Sequence, residues 1–120
     1  MTDLGMENHG DLIASDRVEG TAVYNRQGER LGRISRFMVD KRSGQVRYAV
    51  LSFGGLLGMG NDHYPLPWSM LAYDTAQGGY VVDLDRRVLE NAPRYAGDDP
   101  DYDTDYGRSV YQYYGLIYPF

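Results

Sequence analysis

Hydrophobic and polar positions alternate through much of the first ninety residues, which is the pattern of half-buried β-strands. The clearest run covers residues 45–53, where apolar side chains fall on both faces of the predicted strand. One face carries Val46, Tyr48 and Val50, and the other carries Ala49, Leu51 and Phe53. Because both faces are partly apolar, this run is predicted to be a central strand of a barrel.

Turn sequences separate the strand-like runs. Residues 25–28 (NRQG), 41–44 (KRSG) and 77–79 (QGG) each contain glycine, which adopts positive φ without steric cost. They predict a first hairpin that starts with a strand at residues 21–24, and a later strand at residues 80–82.

The segment between the first two turns is ambiguous in its periodicity. Leu31, Ile34 and Met38 match helical spacing, and the same segment also suits a strand with a bulge. We favour the strand, because Gly32 weakens a helix, a turn follows directly, and the next run is plainly β.

The second half of the barrel begins with a glycine-rich stretch at residues 54–63, which is predicted to be a loop. Residues 64–68 (YPLPW) follow, and their two prolines cannot donate hydrogen bonds to a sheet. This strand is therefore predicted to lie at an edge or a corner. Residues 85–91 are predicted to form a short helix, capped by Asp83 or Asp85 and ended before Pro93.

The composition changes after Pro93. Seven of the twelve tyrosines follow it, together with an acidic stretch at residues 98–105. Tyrosine has a large apolar ring and a polar hydroxyl, which suits interfaces, so this segment is predicted to dock on its own barrel or on a neighbouring chain. The sequence thus divides into a flexible N-terminus (1–11), a barrel domain (12–92) and a C-terminal extension (93–120).

Composition and charge narrow the functional classes. The chain has no cysteine, which excludes disulfides and thiolate chemistry and fits the cytoplasm. Residues 1–11 show no signal-peptide pattern, and no apolar run is long enough for a membrane span. The net charge is −5, yet seven of the twelve basic residues lie between positions 26 and 47. The overall acidity disfavours nucleic acid as a partner, and the basic residues are best explained as an exposed strand face. A further option is that the acidic extension lies against this basic hairpin in its own or a neighbouring chain.

Catalytic motifs are weak in this sequence. The only histidines are His63 beside Asp62 and His9 near Asp11, and neither has a spaced partner for acid–base chemistry. Residues 54–60 lack the features of a phosphate loop. We predict no catalytic residue, no cofactor and no metal, and hold an enzyme centred on His63 as a remote alternative. A second alternative is a small-ligand barrel with a cavity near Tyr48, Trp68 and Tyr73.

The order of segments carries a family resemblance. Residues 28–40 (GERLGRISRFMVD), 43–51 (SGQVRYAVL), 54–60 (GGLLGMG) and 65–68 (PLPW) follow one another as in a PRC-barrel domain. The chain resembles this family over about residues 12–92; the family includes the cytoplasmic barrel of the photosynthetic reaction centre H subunit and the barrel of the ribosome maturation factor. The resemblance implies an all-β, partly open, six-stranded barrel that serves as a platform for other proteins, with no common catalytic residues.

The sequence therefore predicts a non-catalytic, cytoplasmic protein-interaction or scaffold module with one short C-terminal helix and an aromatic tail. It is predicted to form a homo-oligomer, to bind protein partners of unknown identity, or both. The predicted contact residues are Leu56, Leu57 and Met59 of the glycine-rich loop, and Tyr111, Tyr113, Tyr114, Ile117, Tyr118 and Phe120 of the extension. The predicted electrostatic patch consists of Arg30, Arg33, Arg36, Arg42 and Arg47.

Overall fold

The computed structural model describes residues 10–52 and 62–120. Its strands are β1 (Ala22–Tyr24), β2 (Arg30–Val39), β3 (Val46–Ser52), β4 (Asp62–Pro67), β5 (Ala72–Asp74), β6 (Gly79–Val81) and β7 (Tyr95–Ala96). Its helices are α1 (Ser15–Val18), α2 (Arg86–Glu90) and α3 (Thr104–Tyr113), with a 3₁₀ helix at Trp68–Met70. Residues 54–60, and with them Leu56, Leu57 and Met59, lie outside the described residues.

The strands form a single open sheet in the order β5-β6-β1-β2-β3-β4-β7. Neighbouring strands are antiparallel except β1 and β6, which are parallel. The predicted all-β fold class is confirmed. We expected six strands, and the sheet has seven because the two-residue strand β7 of the C-terminal extension pairs with β4 at Asp62 and His63.

The first hairpin forms around the predicted turn after β1. Gly28 has φ +83°, and the buried Asn25 accepts hydrogen bonds through Oδ1 from the backbone N–H groups of Gln27 and Glu29. An Asn side chain that binds its own following backbone is a common way to fix a turn. This turn sets the start of β2.

The ambiguous segment is a strand, as predicted. β2 runs over ten residues and pairs with β3, and its register shifts between Ile34 and Arg36 and again between Met38 and Val39. The first shift skips Ser35 of β2 and the second skips Arg47 of β3, as β-bulges do. The first explains why apolar side chains of β2 depart from strict alternation. Bulges also increase the local twist, which a curved sheet requires.

The two faces of β3 separate as the alternation predicted. Ala49 and Leu51 lie in the main core, whereas Tyr48 belongs to a different cluster on the opposite face. The main core consists of buried Val18, Val23, Leu31, Ile34, Ala49, Leu51, Tyr64, Leu66, Tyr80, Val82, Leu89 and Ala92. β3 is thus covered on both sides.

The Pro-Leu-Pro strand lies beside the sheet margin, as predicted. Pro65 and Pro67 of β4 pair with Val50 and Tyr48 of β3, while β7 reaches only the first two residues of β4. Tyr64 and Leu66 enter the main core, and Trp68 packs against it. Proline has no N–H group to donate. In a strand next to the sheet edge, it therefore costs few inter-strand hydrogen bonds.

Two of the helices follow from capping residues. The predicted helix is α2, and the Asp85 side chain accepts a hydrogen bond from the backbone N–H of Arg87. The second, α3, was not predicted, because the extension was treated as an aromatic tail. The side chain of Asp103 caps α3 by accepting from the N–H of Tyr106. The acidic stretch therefore supplies the start of a helix.

Candidate interaction surface

The C-terminal extension packs on the face of β3 that is turned away from the main core. There it forms a second core, whose buried members are Tyr48, Val110 and Tyr111. Partly buried side chains complete it, namely Met38, Tyr102, Tyr106, Tyr114, Leu116 and Tyr118. The predicted docking of the tyrosine-rich segment is therefore seen within one chain.

Aromatic edge-to-face contacts dominate this second core. The ring centroid of Tyr48 lies 5.0 Å from that of Tyr102 and 5.8 Å from that of Tyr111. Tyr111 is in turn 5.4 Å from Tyr118, with the planes 83° apart. Such pairs contribute roughly 0.5–1.5 kcal/mol each beyond the area that they bury.

Gly107 permits the close approach of α3 to the sheet. A Cβ atom at this position would lie 2.8 Å from the Tyr48 hydroxyl oxygen and closer still to the ring of Tyr118. Separations below about 3 Å are shorter than van der Waals contact, so any larger residue must displace one of these rings. Gly107 is therefore a steric requirement of the docked extension.

Tyr114 joins the second core to the main core. It packs against both clusters, and it follows directly on the last residue of α3. Burial raises the pKa of its phenol. A single aromatic side chain thus transmits contact from the extension to the barrel interior.

Polar contacts between the extension and the barrel include an ion pair and a hydrogen bond, and the Tyr95 hydroxyl supports the ion pair from within the extension. Arg36 of β2 forms an ion pair with Asp99, with 3.3 Å between Nη1 and Oδ2. The Tyr95 hydroxyl donates to Asp99 at 2.8 Å and lies 3.0 Å from the Tyr102 hydroxyl. The Tyr113 hydroxyl donates to the Val88 carbonyl of α2. These bonds fix the position of the extension at its beginning and at the end of α3.

Arg47 of β3 connects the basic hairpin to the end of the extension. Its guanidinium carbon lies 4.0 Å from the ring centroid of Phe120, a cation–π contact, and its guanidinium also pairs with Asp40. Hydrogen bonds from the backbone of Ser43 and Arg42, together with Arg47, lower the pKa of Asp40. The carboxylate therefore stays ionised and holds Arg47 under the aromatic ring.

Several phenols of the second core are buried without a hydrogen-bond partner among the described residues. They are the hydroxyls of Tyr48, Tyr106 and Tyr114. Burial raises the pKa of all three, and that of Tyr106 reaches about 12. An unpartnered buried hydroxyl costs about 1–3 kcal/mol relative to a hydrated one. The docked extension is consequently less stable than its aromatic contacts alone would make it.

The predicted contact residues of the extension separate into two groups. Tyr111 is buried, and Tyr114 and Tyr118 are half-buried, so these three serve the internal second core. Tyr113, Ile117 and Phe120 are exposed, with 37%, 90% and 48% of their surface accessible. Only the second group presents apolar surface to the outside.

The predicted electrostatic patch is also divided. Arg36 and Arg47 are half-buried and engaged with Asp99 and Asp40, respectively. Arg30, Arg33 and Arg42 are exposed. The optional contact between the acidic extension and the basic hairpin is therefore present as the ion pair of Arg36 with Asp99.

Of the residues weighed for catalysis, His63 and Asp62 each lie against a residue of the C-terminal extension. His63 packs against Tyr95 at a ring distance of 5.3 Å, and Asp62 pairs with Arg94 at 3.6 Å. His9 lies outside the described residues. Across residues 10–52 and 62–120, no group of three His, Asp or Glu side chains is placed to hold a metal ion.

The residues weighed for a ligand cavity are distributed over two clusters. Trp68 and Tyr73 both contact the ring of Tyr80, at 5.4 and 5.2 Å. Tyr48 instead lies in the second core under α3. The described contacts thus do not bring the three aromatic residues together around one space.

Sequence reasoning missed the residues that seat the extension. Gly107 lies in an acidic, tyrosine-rich segment, and nothing in its neighbours indicates a close approach. Asp103 was available as a signal, because an Asp followed by a run with apolar residues at positions 106, 110 and 111 is typical of a capped helix. The pairing of Tyr48 with Tyr102 and Tyr111 required the sheet topology.

Comparison with known proteins bears on the barrel and not on the extension. A sequence profile of the PRC-barrel domain matches residues 10–89. A search of curated proteins finds no match. In the part of the chain that the structure describes, no helix is long and apolar enough to cross a bilayer. The profile covers two thirds of the sequence and the open β-sheet agrees with it, so the chain belongs to the PRC-barrel domain family.

Proposed function

We propose that this protein is a non-catalytic interaction module, in which the PRC barrel is the platform and the C-terminal extension carries the contact surface. One observation supports the proposal above the others. Ile117 is 90% exposed although it lies between Leu116 and Tyr118, both of which pack in the second core. A large apolar side chain on a backbone that is held in place is well suited to a protein contact.

The first partner that we propose is a second copy of the chain. Ile117 and Phe120 are exposed on the same short segment, and Phe120 also lies over Arg47. Aromatic residues and arginine are enriched at the centres of protein interfaces. The segment thus combines an exposed aliphatic anchor with an aromatic–arginine pair.

Sedimentation velocity over a concentration series tests this surface. The wild-type chain is expected to self-associate, and Ile117→Ser is expected to weaken the association by about tenfold or more, because it removes the anchor. Leu12→Ser is the matched control, since Leu12 is also a large aliphatic residue and is 78% exposed. A wild-type chain that stays monomeric at every concentration, or equal effects of the two variants, would contradict the proposal.

The glycine-rich loop, the cellular location and the lack of catalysis complete the proposal. We propose that the loop at residues 54–60 adds Leu56, Leu57 and Met59 to the contact surface, as the sequence indicated. We also propose a cytoplasmic location and the absence of enzymatic activity. Support for a non-catalytic role comes from the surroundings of His63 and Asp62, since the ring of His63 packs against Tyr95 and Asp62 pairs with Arg94.

A further inference from the structure

We infer that the C-terminal extension is exchangeable between two copies of the chain, so that the extension of one copy occupies the β3 face of the other. The occupant is the same residues 99–120 that cover this face within one chain. This inference rests on the proposed function, because it supplies a structural route to self-association. It goes further by naming the acceptor surface and the segment that enters it.

The acceptor surface is complementary to the extension in shape. The Tyr48 hydroxyl of β3 and the ring of Tyr118 both lie against Gly107 of α3, and the rings of Tyr102 and Tyr111 pack edge-on against Tyr48. A second copy carries an identical segment, which can make every one of these contacts in the same geometry. Exchange of an identical element between protomers forms dimers at low cost, because the contacts already exist in the monomer.

The two surfaces are also complementary in charge. Five aspartates lie between positions 98 and 105 of the extension, and the hairpin that faces its start carries Arg33, Arg36 and Arg42. Arg36 already pairs with Asp99. The acidic segment of one copy is therefore attracted to the basic hairpin of another, which favours encounter in the orientation that exchange requires.

A hinge lies between the barrel and the docked segment. Residues 97 and 98, between β7 and Asp99, are exposed, and Gly97 adopts φ +76° with open space where a Cβ atom would lie. A glycine with positive φ and no packed neighbour can change its backbone angles without losing side-chain contacts. Exchange then needs rearrangement only at this short exposed connection.

Unpartnered hydroxyls in the second core favour detachment of the extension from β3. The hydroxyls of Tyr48, Tyr106 and Tyr114 lack partners among the described residues when the extension is docked. When the extension detaches, these hydroxyls bind water again. Detachment thus recovers the free energy that their desolvation costs in the docked state. The main core, by contrast, loses its contact with Tyr114 but keeps the contacts among its own buried side chains.

Crosslinking between two single-cysteine variants tests the exchange. Val88 of α2 and Tyr113 of α3 are partly exposed and are joined by the bond from the Tyr113 hydroxyl to the Val88 carbonyl. The natural sequence has no cysteine, so each variant carries one thiol. Full-length Val88→Cys and Tyr113→Cys chains with different affinity tags are mixed, and a short bis-maleimide is added.

Exchange predicts a covalent product that contains both tags, since seating one extension on the other barrel brings the two thiols as close as they lie within one chain. A double variant that carries Val88→Cys and Tyr113→Cys in one chain is the control, because it gives the crosslinking yield when both thiols belong to the same molecule. Adding Gly107→Ala to the Tyr113→Cys chain is expected to abolish the mixed product, and adding Arg108→Ala, at the exposed neighbouring position, is expected to leave it. A mixed product that is absent, or that persists with Gly107→Ala, overturns the inference.

Charge reversal gives a second readout that does not depend on Gly107. Asp99→Arg in the Tyr113→Cys chain is expected to lower the mixed product by up to about fivefold, which corresponds to an exposed ion pair. Arg36→Asp in the Val88→Cys chain is expected to restore it, because the pair is then remade across two chains. A failure of this rescue argues against exchange.

The outcomes separate exchange from the proposed contact surface. A chain that self-associates in sedimentation but forms no mixed product contradicts exchange and leaves the role of Ile117 intact. A chain that forms the mixed product while Ile117→Ser associates as tightly as wild type contradicts the proposed surface instead.

Discussion

The two cores of this molecule are built from different chemistry on the two faces of one strand. The main core contains twelve buried residues, most of them aliphatic, gathered from α1, the barrel strands and α2. The second core has three buried residues surrounded by half-buried side chains, most of them tyrosines. Among the described residues, the hydroxyls of Tyr48, Tyr106 and Tyr114 find no hydrogen-bond partner. The comparison teaches that burial of aliphatic surface stabilises the barrel, whereas fitted aromatic contacts position the extension.

The largest expected effect comes from the main core. Leu51→Ala removes a fully buried side chain from β3 and should lower the free energy of unfolding by about 2–5 kcal/mol. Because β3 carries both cores, barrel and extension should be destabilised together. Urea unfolding followed by the fluorescence of Trp68 measures this. Val39→Ala, at an exposed position of β2, should change stability by less than about 0.5 kcal/mol, and equal effects of the two variants would refute the assignment of the core.

Gly107→Ala is expected to have the next largest effect, and its sign is decisive. Helix propensity alone would make alanine stabilising in α3 by up to about 1 kcal/mol. The collision with Tyr118 and the Tyr48 hydroxyl should instead destabilise the docked extension by about 1–3 kcal/mol. Hydrogen exchange of the α3 amides should rise while that of β2 stays unchanged. Slower exchange of α3 in the variant would show that no collision exists.

Alkaline pH should separate the cores without a mutation. A buried phenol whose pKa is raised contributes stability that is complete below its unfolded pKa of about 10 and is lost as the pH rises through the folded value. Burial raises the pKa of Tyr48, Tyr102, Tyr106 and Tyr114, with Tyr106 reaching about 12. The helical circular dichroism of α3 should therefore fall between about pH 10 and 12.

The fluorescence of Trp68 should change at higher pH than the helical signal, because this residue reports on the main core. Phenolate absorbance recorded in the same titration should show a group of tyrosines that ionises above pH 10. If all tyrosines ionise together near pH 10 while α3 stays helical, the second core is not a desolvated cluster.

The smallest effect distinguishes a partnered from an unpartnered hydroxyl. Tyr48→Phe removes a buried hydroxyl that has no partner among the described residues, so stability should be unchanged or higher by up to about 1 kcal/mol. Tyr95→Phe is the matched control, since its hydroxyl donates to Asp99, and it should destabilise by about 1 kcal/mol. Urea unfolding of both variants, followed by circular dichroism, measures the difference. A reversed order would disprove the assigned hydrogen bonds.

The barrel could be predicted from the sequence because its determinants are local. The alternation in residues 45–53 by itself specifies a strand, and Gly28 and Gly44 specify turns. The prolines of β4 specify a position near the sheet edge. The helix α2 is also confirmed, and its N-cap is Asp85, one of the two capping residues predicted from the sequence. The bulge of β2 at Ser35 was foreseen only as one possibility, since its position depends on pairing with β3.

The seat of the extension could be predicted only in part. Its aromatic composition indicated docking, but the acceptor face depended on which side of β3 turns outward. The alternation placed Tyr48 and Leu51 on opposite faces of the same strand. The partners of Tyr48, however, are Tyr102 and Tyr111, which are more than fifty residues away in the sequence. Such long-range contacts leave no periodic signal, and the same holds for the ion pair between Arg36 and Asp99.

Native-state hydrogen exchange of the wild-type chain in low concentrations of urea tests the central claim most directly. If the extension is held by a second, weaker core, the amides of α3 should exchange through a partial opening whose free energy is clearly lower than that of the amides of β2 and β3. The account is contradicted if α3 and β3 exchange with the same free energy and the same dependence on urea, because barrel and extension would then unfold as one unit.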